Sequence, residues 1–166
     1  MNEFAHLRGI TCHRAVLGAL AVPALVDAMA EAGAKAVTLS DRHGIYGAVQ
    51  FSRLARQAGF KPIIAAEFVV QENPLGGSSP GPVGTLLLLA RTAAGLKNLT
   101  RLSSLAWLKG WNGSEPRLDL ATLAAHAAGL IVLAAGPESV TGQRLRGRSP
   151  RSPAASRTGP LSAGWP

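Results

Sequence analysis

Histidine and acidic side chains follow or interrupt three apolar segments of this chain. His6 ends the first segment, Asp41 directly follows the second, and Glu67 lies inside the third. Neutral imidazole and carboxylate oxygens are ligands that bind divalent metal ions in proteins. If the segments are neighbouring parallel strands, their carboxyl ends would bring these side chains to one edge of a sheet. The pattern therefore admits a metal site made by His6, Asp41 and Glu67.

Each of these residues also has a structural interpretation. A lone histidine near the N-terminus is usually a surface residue, and an aspartate before a helix is usually an N-cap. Glu67 is the most unusual because it interrupts the apolar run PIIAAEFVV. Burying its charge costs on the order of several kcal/mol unless it is paired or bound to a metal. Arg42 and His43, which follow Asp41, and Gly136 and Glu138, which follow the last apolar segment, complete the candidate positions.

The elements that would position these residues alternate along the chain. Strands are predicted at 4–7, 35–40, 62–70, 85–90 and 130–135, and helices at 23–32, 46–58, 92–107 and 118–127. In the helix at 46–58, Val49, Leu54 and Ala58 are expected to face the core. Continuous apolar strands alternating with helices favour the α/β class, with about five parallel strands in a barrel or a doubly wound sheet.

Composition divides the chain into two parts. It has 166 residues, of which 47% are hydrophobic and 16% charged, which excludes a wholly disordered protein. Residues 1–138 carry twelve Lys or Arg and all nine Asp or Glu, whereas 139–166 carry five arginines and no acid. We predict a folded domain over 1–138 and a disordered Arg/Ser/Pro-rich tail over 139–166. The tail is either an RNA-binding segment or an extension that does not pack.

Cysteine use and hydropathy bear on the compartment. Cys12 is the single cysteine, so neither an intrachain disulfide nor a Cys-rich zinc site is available, and a reducing, cytoplasmic location is expected. The apolar stretch 15–26 could be read as a signal peptide, but Pro23 also suits the first turn of a helix. No apolar run reaches the roughly 18 residues of a membrane span.

Several segments together resemble one protein family. FAHLR, SDRHGIYGAVQF and GFKPIIAAEFVV are similar to the N-terminal PHP (polymerase and histidinol phosphatase) domain of the bacterial DNA polymerase III alpha subunit. The likeness continues through LLLLARTAAGLKNLTRLS, PRLDL and GLIVL, over about residues 4–135. The third segment and AGLKNL are typical of the polymerase branch rather than of the free-standing phosphatases.

The resemblance implies a distorted (β/α)7 barrel that can hold up to three metal ions, which some members use for 3′–5′ proofreading. It assigns ligand positions to His6, Asp41 and Glu67. Other motif positions carry different residues from those of the family. Its histidines are replaced by Arg8, Ile10, Arg42 and Thr85, its serine by Thr11 and its cysteine by Gly136. Arginine cannot deprotonate to ligate a metal, and its charge repels one. The implied site is degenerate, with an arginine pairing with Asp41 or Glu67 in place of a cation.

The functional prediction is a structural PHP-domain fragment without its own polymerase or phosphoesterase activity. Its parent activity is DNA-directed DNA synthesis in replication, and no cofactor is expected at the remnant ligand positions. One alternative is a free-standing PHP phosphoesterase that binds zinc or manganese. Another is a small interaction protein that binds a polymerase or nucleic acid through its arginine-rich tail.

The resemblance also implies partners and limits. The expected partners are other parts of a DNA polymerase III holoenzyme. DNA would be contacted only indirectly or through the tail, and no membrane contact is expected. The likeness stops before any polymerase segment, so the sequence is interpreted as truncated, with five of seven barrel strands. Missing strands would leave open edges and an uncovered apolar face, which predicts a poorly soluble product.

Overall fold

Strands and helices alternate through the described residues, which in this computed structural model are 5–12, 20–71, 83–134 and 136–147. The helices of this part of the chain are α1 (Val22–Glu31), α2 (Ala48–Gln57), α3 (Ala93–Lys109), α4 (Leu120–Ala125) and α5 (Val140–Gly147). Its strands are β1 (Ala36–Arg42), β2 (Lys61–Gln71), β3 (Val83–Ala90), β4 (Leu118–Asp119) and β5 (Leu130–Leu133). The predicted α/β class is confirmed.

The sheet is mixed rather than parallel. Its strands run in the order β1-β2-β3-β5, and β4 pairs with the C-terminal end of β2. β1 and β4 are parallel to β2, whereas β3 is antiparallel to both β2 and β5. The prediction of about five parallel strands is therefore wrong. Residues 72–82, which join β2 to β3, lack the apolar periodicity of a crossover helix, and a short link without a helix favours an antiparallel pair.

The described sheet is also not closed. β5 lies at one end of this strand order and β1 at the other, where residues 6–9 form further backbone hydrogen bonds with β1. On β5, Ile131 and Val132 are 43% and 42% exposed. The β5 edge of the described sheet therefore carries exposed apolar side chains, and the distorted (β/α)7 barrel and its missing strands stay predictions.

Helices α1 and α2 cover the β1 end of the sheet. Pro23 lies in the first turn of α1, and Gly33, with a φ of 66°, follows its last turn. The core here consists of Val22, Leu25, Val26, Val37, Leu39, Phe51, Ala55 and Phe60. Val49 is 86% exposed and Ala58 is also exposed, so their predicted core positions are wrong, whereas Leu54 is partly buried against this core. The helix instead buries the face that carries Phe51, whose ring has more apolar area to remove from water.

Helices α3 and α4 cover β2 and β3. Their core contains Ala66, Phe68, Val70, Leu86, Leu88, Leu99, Leu102, Ala106, Leu118, Leu123 and Val140. The side chain of Thr92 caps α3 by accepting a hydrogen bond from the Gly95 amide. Asp119 caps α4 through Thr122, and the hydrogen bond from the Thr122 side chain holds the pKa of Asp119 below its usual range. Side-chain caps thus fix where both helices begin.

The first residues of the predicted tail are structured. Ser139 forms an isolated bridge with Thr85, and α5 follows it. Both Ser139 and Val140 are buried, and a Cβ at Gly84 would collide with the Val140 backbone. The prediction of disorder therefore does not hold for 139–147, because Val140 joins the core. Residues 148–166 lie outside the described residues.

None of the described helices combines the length and apolar character that a membrane crossing requires.

Candidate functional site

The segment 5–12 lies alongside β1 and brings its residues to the strand ends. Thr38 donates its amide to the carbonyl of His6 over 3.1 Å, and Ser40 donates its amide to the carbonyl of Gly9 over 2.7 Å. A Cβ at Gly9 would collide with the Thr38 backbone, so glycine permits this close approach. The pairing places Arg8 beside the middle strands of the sheet.

Arg8 forms an ion pair with the glutamate that interrupts β2. Arg8 Nη2 lies 2.6 Å from Glu67 Oε2, the Glu67 side chain is 5% exposed, and that of Arg8 is 56% exposed. A charge-assisted hydrogen bond of this kind offsets part of the cost of burying a carboxylate. The arginine that stands at a histidine position of the family thus holds the buried carboxylate of β2.

A cavity of about 290 Å³ opens beside this ion pair. Its polar positions are Arg8, Glu67, Thr85, Gly136 and Glu138, and its apolar walls are Leu7, Leu87, Leu133 and Pro137. Four of the positions that the resemblance assigned to the family's site therefore meet at one cavity: Arg8, Glu67, Thr85 and Gly136. Glu138, a candidate from its position after the last apolar segment, lines the same cavity.

Asp41 lies elsewhere and has its own partner. It is fully buried, and Thr11 donates to it through the backbone amide and the hydroxyl, both over 2.8 Å. Asp41 is in register with Ala66, whereas Glu67 is in register with Arg42. Because side chains alternate along a strand and partners in register share a face, Asp41 and Glu67 project to opposite faces of the sheet. Asp41 does not line the cavity.

His6 is exposed and forms an isolated parallel bridge with Val37. It does not line the cavity either. Within the described ranges, no three His, Cys, Asp or Glu side chains are grouped as a metal ion would require. Among the described residues, the three predicted ligand positions therefore do not form one metal-binding group.

Arg42 pairs with a residue that the sequence analysis missed as a partner. Its Nη2 atom lies 2.9 Å from Glu115 Oε2, and Arg117 Nη2 lies 3.5 Å from Glu115 Oε1. Glu115 lies 73 residues beyond Arg42 in the sequence. No local pattern signals such a long-range contact. Of the two replacing arginines, only Arg8 pairs with a predicted ligand residue.

His43 follows β1 in the left-handed backbone region, with a φ of 60°. Its carbonyl accepts hydrogen bonds from Ser103 Oγ over 2.8 Å and from Trp107 Nε1 over 3.1 Å. Its ring is 6.3 Å from that of Phe68, centroid to centroid. The turn thus directs the ring into the packing around α3, and His43 does not take the histidine position that Arg42 fills.

The metal ions that the resemblance implies do not fit these residues. The cavity offers two carboxylates, a hydroxyl and a guanidinium, and the guanidinium already contacts Glu67. Arg8 has no lone pair to donate and carries a charge that repels a cation. Asp41 is held by Thr11 on the other face of the sheet. The donor set therefore supports no step through a metal.

Comparison with known proteins identifies the family. The family described as PHP domain matches residues 6–158. DNA polymerase III subunit alpha of Vibrio cholerae is 39% identical over 143 residues, covering 86% of this chain and 12% of that protein. The same subunit of Caulobacter vibrioides is 35% identical, covering 81% and 12%. An error-prone DNA polymerase of Anaeromyxobacter dehalogenans is 33% identical, covering 87% and 13%.

A solved structure from Bifidobacterium adolescentis, provisionally named a metal-dependent phosphoesterase, is 12% identical to this chain. The likeness covers 61% of this chain and 32% of that one, with a TM-score of 0.43, which is too low to bear on activity. The chain spans about 12% of the length of the first curated relatives it matches. The match over 6–158 and the relatives' identities show that the chain belongs to the PHP domain family and resembles the N-terminal region of DNA polymerase III alpha subunits.

Proposed function

We propose that this chain is a structural PHP domain of the polymerase III alpha type that does not hydrolyse phosphoesters. The observation that carries the proposal is the contact of Arg8 with Glu67 over 2.6 Å beside the cavity. The guanidinium supplies the positive charge that a metal ion would otherwise provide to the buried carboxylate. The carboxylate then serves the fold rather than a reaction.

Metal-assisted hydrolysis needs ligands that hold the ion and leave one coordination position for water or substrate. Here Arg8 replaces one such ligand. Both carboxylate oxygens of Asp41 already accept hydrogen bonds, from the amide and the hydroxyl of Thr11. His6, Asp41 and Glu67 are on this account remnant ligand positions. Their present roles are an exposed bridge, a buried hydrogen-bond acceptor and an ion pair.

The alternative is a PHP phosphoesterase that uses zinc or manganese. One observation favours it, because the carboxylates of Glu67 and Glu138 both line the 290 Å³ cavity. Two carboxylates near one cavity are a common start for a divalent metal site. Against it, the Arg8 guanidinium also lines the cavity, and its positive charge repels a metal ion.

The relatives suggest the setting in which a structural domain would act. Those named DNA polymerase III subunit alpha are much longer than this chain, so DNA-directed synthesis and assembly with other holoenzyme parts are proposals here. We place the chain in the cytoplasm, beside the bacterial replication machinery. In that setting the domain would support a polymerase rather than catalyse phosphoryl transfer itself.

Hydrolysis assays test the proposal. We expect the full chain to release no more product than buffer with the same metal from p-nitrophenyl phosphate, its diester and 3′-labelled single-stranded DNA. Manganese and zinc would each be supplied, and Glu67→Gln should give the same background because no ligand is lost.

Glu115→Gln is the matched control, since Glu115 is a carboxylate outside the cavity. A manganese- or zinc-dependent rate that persists in Glu115→Gln and disappears in Glu67→Gln would overturn the structural assignment and establish the phosphoesterase.

A further inference from the structure

A groove of about 640 Å³ lies between α2 and α3. We call it the α2–α3 groove and define it by Val49, Arg53, Arg56, Ile64, Leu96 and Thr100. It shares no lining residue with the cavity that contains Glu67. A second depression of about 490 Å³, lined by Lys97 and Arg101 among others, adjoins it at Thr100. The two depressions form one continuous surface along α3.

The centre of the groove is apolar and exposed. Val49 on α2 is 86% exposed and Leu96 on α3 is 39% exposed. Ile64 of β2 lies between the two helices and is partly buried. Contiguous apolar surface with a polar rim is typical of a protein interaction site.

The rims of the groove are cationic. Arg53 and Arg56 stand on the α2 side, and Lys97 and Arg101, one turn apart, stand on α3. All four side chains are exposed. Neither α2 nor α3 contains an aspartate or a glutamate. The groove therefore presents positive charge on both sides of an apolar stripe, without acidic residues of its own helices to neutralise it.

We propose that the α2–α3 groove binds an acidic amphipathic helix of a partner protein. The apolar stripe would accept side chains spaced at i, i+3 and i+4 on such a helix. Asp and Glu residues flanking that face would then meet Arg53 and Arg56 on one rim and Lys97 and Arg101 on the other.

Nucleic acid fits the groove less well. Sequence-tolerant binding of single strands uses aromatic rings on which bases stack, together with cations along the backbone path. Here aliphatic Val49 and Leu96 line the groove, and none of the described residues that line it or the adjoining depression is aromatic. Phosphates that reached the rims would lie over this aliphatic surface, whereas apolar anchors of a helix would be buried there.

A peptide titration tests the proposal on the full chain. The probe is a fluorescein-labelled helical peptide of about 18 residues, roughly 27 Å long, with leucines on one face and glutamates elsewhere. The comparison probes are the same peptide with lysine for each glutamate, and a labelled oligothymidylate. We expect the acidic peptide to bind most tightly by fluorescence anisotropy, and its affinity to fall as salt is added.

Charge reversal locates the binding. We expect R53E/R101E to weaken acidic-peptide binding by at least about tenfold, whereas the control K35E/K61E should change it by less than about twofold. Lys35 and Lys61 are also exposed but lie outside the groove. Circular dichroism confirms that each variant is folded. No binding of the acidic peptide, binding indifferent to R53E/R101E, or tighter binding of oligothymidylate would each overturn the proposal.

Discussion

Replacing Asp41 with alanine is expected to lower the free energy of unfolding by about 3 kcal/mol, because two buried hydrogen bonds to a carboxylate are lost. Both Asp41 and Thr11 are fully buried, so the amide and hydroxyl of Thr11 would be left without this acceptor. Chemical denaturation of the full chain, with and without EDTA, measures the change.

Thr11→Val is the matched control for Asp41. It removes the hydroxyl bond and keeps the amide bond, so we expect a loss of about 1 kcal/mol. EDTA should leave the wild-type unfolding midpoint unchanged. A midpoint that falls in EDTA, together with an Asp41→Ala effect that disappears there, would show that Asp41 stabilises the fold through a metal rather than through Thr11.

A double-mutant cycle on Arg8 and Glu67 is expected to give a coupling energy of about 1–2 kcal/mol. Glu67 is nearly fully buried while Arg8 is half exposed, so the pair should contribute more than a surface ion pair and less than a fully buried one. The variants are Arg8→Ala, Glu67→Gln and their combination, compared by chemical denaturation at constant salt.

The control cycle uses Arg42→Ala and Glu115→Gln. Both side chains of this pair are 30% exposed, and Arg117 also contacts Glu115. We expect a coupling energy below about 1 kcal/mol there. A coupling near zero between Arg8 and Glu67, or one no larger than the control, would contradict the role assigned to the guanidinium.

The sequence predicts the elements well and their directions less well. Pro23 and Gly33 bracket α1 within a residue or two of its observed bounds. The reversal of β3 was missed because continuous apolar strands suggested crossovers throughout. The stretch 72–82 already lacked the apolar positions of a crossover helix, and strand direction depends on such connections rather than on the strands themselves.

Side-chain faces were predicted only in part. The spacing of three between Leu96, Leu99 and Leu102 drifts around a helix of 3.6 residues per turn. The structure buries Leu99, Leu102 and Ala106 and leaves Leu96 exposed in the α2–α3 groove. Whether an apolar residue is covered depends on how neighbouring helices are spaced, which a single sequence does not contain.

The candidate site, too, could be predicted from the sequence only in part. Glu67 is identifiable from sequence because one charge inside an apolar strand needs a partner, and Arg8 is one of two arginines that could serve. The contact of Arg42 with Glu115 joins residues 73 apart, and Asp41 faces away from Glu67 because of strand register. Both features come from the tertiary arrangement, which motif spacing does not specify.

The most direct test of the central claim is the metal content of the full chain. Protein expressed with added zinc and manganese would be passed through metal-free buffer and measured by plasma mass spectrometry, beside Glu67→Gln and Asp41→Asn. We predict only substoichiometric traces, equal in all three proteins, because a guanidinium occupies the side of the cavity where Glu67 lies. One or more zinc or manganese ions per wild-type chain, lost when Glu67 is changed, would contradict it.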